Sequence, residues 1–248
     1  MLPLSGTSIL VTRPIHQAGR LADGIAKAGG KAVLFPAVEI ADVEDDARLM
    51  DLIGRMHEYD FAIFVSANAV EKAFSRMAAL PAGLRCAAVG KATLAALEER
   101  GIRNILLPRS GFDSESLLEL PELQSVAGSR IVIFRGEGGR ELLADELKRR
   151  GAMVDYAECY RRIRPANPPA LGEQDVQAVT ATSGEIVTNL VAMTEGWIYN
   201  KPIFVTHERI GKIAKECGFD HVVVTEGGDD GLVKELLKWF EFGDKAHG

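Results

Sequence analysis

The chain has 248 residues, 47% of them hydrophobic and 26% charged, an ordinary balance for a globular protein of this size. That length buries roughly three quarters of the unfolded surface, so no disulfide or metal staple is needed. With 29 Lys and Arg against 35 Asp and Glu the formal charge is -6, which argues against a general nucleic-acid binder, whose footprint is basic.

Taken in chain order, Ile9-Leu10-Val11 predicts a strand, and Ala18, Leu21, Ala22 and Ile25 recur behind it at helical spacing. Residues 34–40 read as extended and lead into the polar stretch 42–46. Further short apolar runs predict strands at 61–65, 87–89, 104–107 and 131–134. Residues 155–162 form a second extended segment, followed by the proline-rich 164–169. Strands at 178–181, 203–205 and 221–224 come next. Helical patterns follow the last two: Ile210, Ile213, Ala214 and Cys217, then Val233, Leu236, Leu237 and Phe240. Runs this short and apolar suit parallel strands covered on both faces, so the class is α/β with parallel sheets.

The pattern repeats. Arg13 and Arg135, like Gly29 and Gly151, lie 122 residues apart, while Ser66 and Ser183, Val70 and Val187, and Gly101 and Gly218 lie 117 apart. Such persistent offsets predict a duplication. The two extended segments would carry the chain between halves. Residues 1–34 and 168–248 would form one discontinuous domain, 42–154 an inserted one, and 35–41 and 155–167 the linkers.

Cys86, Cys159 and Cys217 are odd in number and far apart, so neither a disulfide framework nor a zinc site is expected, and a reducing cytoplasm fits. No signal peptide is visible, and no apolar run nears the roughly 18 residues of a membrane span.

Candidate chemistry gathers at strand-to-helix turns, where ligands bind in α/β sheets. Thr12 and Arg13 end the first strand and offer a hydroxyl and a planar guanidinium for a carboxylate. Arg135-Gly136-Glu137-Gly138-Gly139-Arg140-Glu141-Leu142 places glycine amides before a helix, suited to an anion. It lacks the Gly-Lys-Ser/Thr of a nucleotide loop, and Glu141 stands where a dinucleotide fingerprint needs glycine. Ser66 and Ser183 each follow a strand and open a helix, as N-caps do, and Gly184 lies beside Ser183. Thr93 in Gly90-Lys91-Ala92-Thr93, with His207 and Arg209 in its counterpart turn, is placed to line a cleft. Tyr160 lies in the second extended segment, on one face with Tyr156 and Glu158 by strand alternation.

In order and spacing these motifs resemble the uroporphyrinogen-III synthase family, bacterial branch. The resemblance rests on residues 9–14, Phe35-Pro36, Ser66-Ala67-Asn68-Ala69-Val70, residues 88–93, the Arg-Gly-x-Gly-Gly-Arg-Glu-Leu stretch at 135–142, Glu158-Cys159-Tyr160-Arg161-Arg162 and Thr182-Ser183-Gly184-Glu185. It covers about residues 7–240. It implies two α/β domains joined by a two-stranded antiparallel β-ladder, with a cleft between them. It implies a lyase of haem biosynthesis that closes linear hydroxymethylbilane to uroporphyrinogen III. Ring D is inverted through a spirocyclic pyrrolenine, and water is lost. It implies no metal and no cofactor, a small-molecule substrate, no nucleic-acid or membrane partner, and a cytoplasmic monomer. Tyr160 matches the family's cleft tyrosine and would assist departure of the hydroxyl, Thr93 matches its cleft threonine in the Gly-x-x-Thr turn, and Ser66 and Ser183 match its strand-end serines. The turn at His207-Glu208-Arg209-Ile210 departs from the Gly and Thr of many relatives. The competing reading is a non-catalytic two-domain sensor for a small anionic ligand.

Overall fold

The computed structural model describes residues 2–111 and 113–242. The chain falls into two compact units: Met1–Glu39 with Ile163–Gly248, and Ile40–Arg162.

In the first unit, β1 (Ser8–Val11) leads through Pro14 into α1 (Ile15–Lys27) and β2 (Lys31–Leu34). The chain returns after the second unit with β8 (Ala178–Ala181), α8 (Gly184–Met193), β9 (Ile203–Val205), α9 (Glu208–Glu216), β10 (Val222–Val224) and α10 (Gly228–Phe242). The sheet order is β10-β9-β8-β1-β2, every adjacent pair parallel. Strand alternation sends Ile9, Val11 and Phe204 to one face, against Leu21, Ile25, Leu232 and Leu236. Leu10, Val179, Ile203 and Val205 go to the other, against Val187, Leu190 and Ala214. Both faces are therefore covered, which is why these strands are apolar throughout.

The second unit has β3 (Glu39–Ala41) at its start, then α2 (Ala47–Gly54), β4 (Phe61–Phe64), α3 (Ala67–Phe74), β5 (Arg85–Ala88) and α4 (Lys91–Glu99). It continues with α5 (Ser114–Leu118), α6 (Pro121–Gln124), β6 (Arg130–Gly136), α7 (Leu142–Arg149) and β7 (Met153–Ile163). Its sheet order is β3-β7-β6-β4-β5, with β4, β5, β6 and β7 parallel where they meet. Phe61, Ile63, Ile131 and Ile133 pack on Leu143 and Leu147. Ala62, Phe64, Val132 and Phe134 pack on Val70 and Leu97.

Several expectations need correction. Residues 104–107 do not make a strand: Leu106 forms a single bridge to Ala87. Asn104 has a left-handed φ of 55° just before it, and Pro108 has no N–H to extend a ladder. The extended segment 34–40 is divided between the end of β2, a non-strand stretch and β3. The expected linker 155–167 begins inside β7, so the second unit reaches Arg162 and not 154.

Candidate functional site

Both sheets change direction once, and both changes fall beside the residues singled out from sequence. In the second unit the chain runs from β4 outward to β5, then returns to place β6 on the other side of β4. In the first, β2 and β8 flank β1. Such a switch point opens a crevice at the carboxyl ends of the strands, where α/β proteins bind ligands.

At the switch point of the second unit, Ser66 caps α3 by accepting from the Ala69 amide at 3.1 Å. Its Oγ also shares a 3.1 Å hydrogen bond with the Tyr160 hydroxyl. Tyr160 is only 1% exposed. It comes into place through a register shift: Arg135 pairs with Glu158, but Gly136 pairs with Tyr160, leaving Cys159 as the extra residue. The shift breaks the alternation read from sequence, so Cys159 and Tyr160 are both buried while Glu158 is exposed. A Cβ on Gly136 would stand 2.6 Å from the Tyr160 ring, so glycine is what lets the tyrosine lie flat against this strand end. Burial pushes the Cys159 thiol up to about 12, which makes it a core group and not a nucleophile.

The Arg135 guanidinium folds back beneath the glycine loop. It donates to the Gly136 carbonyl at 3.2 Å and pairs with Glu141 at 3.1 Å. It also lies over the Tyr156 ring at 4.5 Å. Tyr156 donates its hydroxyl to the other Glu141 oxygen at 2.6 Å. That bond, then the Arg135 charge, hold the Glu141 carboxyl below the usual glutamate range. Burial, then the bond to Glu141, push the Tyr156 hydroxyl upward. Gly138 and Gly139 take left-handed φ values of 70° and 99°, and a Cβ on Gly139 would meet the Arg135 guanidinium at 2.7 Å. Thr93 is buried in the first turn of α4, behind the end of β5. A cavity of about 270 Å³ opens here, lined by Tyr160, Tyr156, Gly136, Arg135, Arg140 and Arg162 among others. Among the described residues no aspartate or glutamate lines it.

The first unit presents its residues at the matching sheet edge. Thr12 does not offer its hydroxyl outward; it donates to the Thr180 carbonyl at 2.5 Å, tying β1 to β8. Arg13 is paired with Asp229 at 2.6 Å, both side chains largely buried. Ser183 caps α8, accepting from Ile186 at 3.2 Å. A Cβ on Gly184 would stand 2.4 Å from Ile213, the sign of close approach between α8 and α9. His207 is the N-cap residue of α9 without a side-chain cap bond, and both it and Arg209 are exposed. A second cavity, about 370 Å³, is lined by Ile15, Leu34, Pro36 and Pro165 among others.

Sequence reasoning thus marked Ser66, Tyr160, Arg135 and the glycines, which one unit brings together. It gave no binding or pairing role to Glu141 or Arg162, although both lie inside quoted motifs. It also missed Asp229. Nothing in sequence separation signals that Asp229 neutralises Arg13.

The fold and site define a class: a two-unit parallel α/β protein whose strand-end loops present a buried tyrosine and arginines. Residues 19–234 match the family described as uroporphyrinogen-III synthase HemD. The uroporphyrinogen-III synthase of Escherichia coli (strain K12) is 34% identical over 244 residues, covering 92% of this chain and 99% of that protein. That of Salmonella typhimurium (strain LT2) is 33% identical with the same coverage. In fold, the chain resembles the solved uroporphyrinogen-III synthetase of Helicobacter pylori 26695. The TM-score is 0.62 at 14% identity, over 94% of this chain and 99% of that one. A mutant uroporphyrinogen III synthase from Thermus thermophilus gives 0.61 at 16%, over 95% and 99%. The chain belongs to the uroporphyrinogen-III synthase family. The relatives are named as synthases, which goes against the non-catalytic sensor raised from the sequence.

Among the described residues no helix is long and apolar enough to cross a membrane.

Proposed function

We propose that this chain closes linear hydroxymethylbilane to uroporphyrinogen III with inversion of ring D, as a cytoplasmic monomer acting without metal or cofactor. The observation that carries the reading is Tyr160: a buried phenol, hydrogen-bonded to a helix-capping serine and lining a cavity together with Arg135, Arg140 and Arg162.

A phenol hydroxyl can both donate and accept a hydrogen bond. Tyr160 assists the hydroxymethyl group as it leaves as water, giving an azafulvene. The substituted carbon of ring D attacks this electrophile, forming a spirocyclic pyrrolenine. The spiro centre then fragments, and the released arm recloses at the other α-carbon, which inverts the ring. No redox change occurs, and one water is the only loss. The uncatalysed chain closes without inversion, so the main task is to hold a flexible substrate in the reacting shape.

Eight carboxylates on the substrate must be met locally by a protein of net charge -6. Ser66, Gly136, Gly138 and Gly139 form the recognition edge of the second unit, and Ser183, Gly184, His207 and Arg209 that of the first, while Thr12, Arg13 and Arg135, held by Thr180, Asp229 and Glu141, and the buried Thr93 support these edges from within. Helix-start amides and guanidinium groups are the donors. The cavity at Ile15, Leu34 and Pro36, which Glu39 and Asn167 also line, offers apolar surface to a pyrrole face.

We also infer that the two units arose by duplication. The sheet orders support this: β9-β8-β1-β2 corresponds in sequence offset to β5-β4-β6-β7. β3 is the neighbour of β7 in the second sheet.

The test follows disappearance of hydroxymethylbilane with the purified protein and with Tyr160→Phe. The wild type accelerates it, and Tyr160→Phe slows it on the order of a hundredfold with unchanged circular dichroism. Equal rates for the two proteins would remove Tyr160 from the chemistry.

A further inference from the structure

Three arginines line the cavity beside Tyr160, and two of them are already neutralised. Arg135 is paired with Glu141 and Arg140 with Glu115, at 3.1 and 3.2 Å. Arg162 has no carboxylate partner among the described residues. Its guanidinium carbon stands 5.9 Å from the centre of the Tyr160 ring, within the reach of a cation–π contact. Its neighbour on β7 behaves differently. Arg161 pairs with Glu44 and donates to the Asp42 carbonyl at 3.1 Å. Successive strand residues point to opposite sides, so one arginine is spent on holding the start of the unit while the next is left over the cavity.

An unpaired guanidinium beside a buried tyrosine is a notable arrangement in a chain that carries more acids than bases. We propose that Arg162 binds a carboxylate of the substrate and that this cavity holds one substituted pyrrole, the ring whose departing hydroxyl or reacting carbon meets Tyr160. The proposal rests on the synthase reading above. At about 270 Å³ the space lies just below the usual range for a drug-sized ligand, enough for one ring with its acid side chains and not for the whole chain. A guanidinium engages a carboxylate with two parallel hydrogen bonds, and an ammonium at the same place does not reproduce that geometry. The contact with the Tyr160 ring aims the fork, so binding a carboxylate and placing the ring against the phenol are one event.

The experiment compares wild type, Arg162→Gln and Arg162→Lys in steady-state turnover of hydroxymethylbilane and in equilibrium binding of uroporphyrin III, an octacarboxylate probe that needs no turnover. Arg162→Gln is expected to raise KM about tenfold or more and to weaken probe binding by a similar factor. Its kcat should change by less, and its thermal midpoint should stay put because the side chain is exposed. Arg162→Lys should recover only part of the loss. Unchanged KM and unchanged probe binding in Arg162→Gln would overturn the proposal, as would a fall in kcat with KM unmoved. Absence of turnover by the wild type would instead sink the synthase reading. The probe arm would still decide whether Arg162 binds carboxylates.

Discussion

Tyr160 owes its position to Gly136 as much as to Ser66. The phenol is held at its tip by the serine, while its ring lies where any side chain on Gly136 would have to be. Gly136→Ala is therefore expected to displace the ring and lower turnover nearly as far as loss of the hydroxyl does. Gly54→Ala, where an added Cβ meets open space at the end of α2, should leave turnover unchanged. Parallel rate measurements on the two variants check this, and equal activities would show that the close approach does not matter. At this scale the residue types were legible. A serine after a strand caps a helix, and a tyrosine in an extended segment beside glycines invites a site. Pairing was not legible. By sequence Arg13 offers an open guanidinium to a carboxylate and Arg135 opens an anion-binding loop, yet each meets an acid of its own unit, Asp229 and Glu141. Those partners depend on where α10 and the glycine loop run, which no local pattern encodes. Thr12 shows the same limit: its hydroxyl turns inward to Thr180 because the neighbouring strand supplies an acceptor at 2.5 Å.

The elements follow the burial of their strands. Central strands such as β4 and β6 are covered on both faces and read as unbroken apolar runs. The edge strand β2 begins with an exposed lysine, so its apolar signal is short and it escaped notice. The short helices α5 and α6 carry too few turns for a helical period to stand out. Helix α7, which follows the glycine loop, is tied to them by one cluster. Arg150 donates to the Leu118 and Leu123 carbonyls at 2.7 and 2.9 Å and to Glu146 at 2.8 Å. Hydrogen bonds from Arg149 and then Arg150 hold the Glu146 carboxyl down to about 2, from an ordinary 4.5. A depressed carboxylate stabilises the fold fully above its unfolded value and loses that contribution as pH falls through the native one. The thermal midpoint should therefore drop between about pH 4.5 and 2, and more steeply in the wild type than in Glu146→Gln. Identical pH profiles for the two proteins would mean that the cluster does not couple α7 to α5 and α6.

For the whole molecule, the alternation of short apolar runs with helical periods made the α/β class with parallel sheets legible, and the fold matches bear it out. Where one compact unit ends was less legible, because β7 runs on to Ile163, past a register shift in its pairing with β6 that no sequence pattern marks. What the whole chain must accomplish is also more than any residue reports. An octa-anionic, flexible substrate has to be held by a net acidic protein through local donors, in a shape that the free molecule does not favour. The most direct measurement is the isomer composition of the product. Hydroxymethylbilane is supplied to the purified protein, the product is oxidised, and the uroporphyrin isomers are separated. Predominant III isomer, rising with the amount of this protein, is the predicted result. Only the I isomer, formed beside folded protein and an active control synthase, would contradict the account.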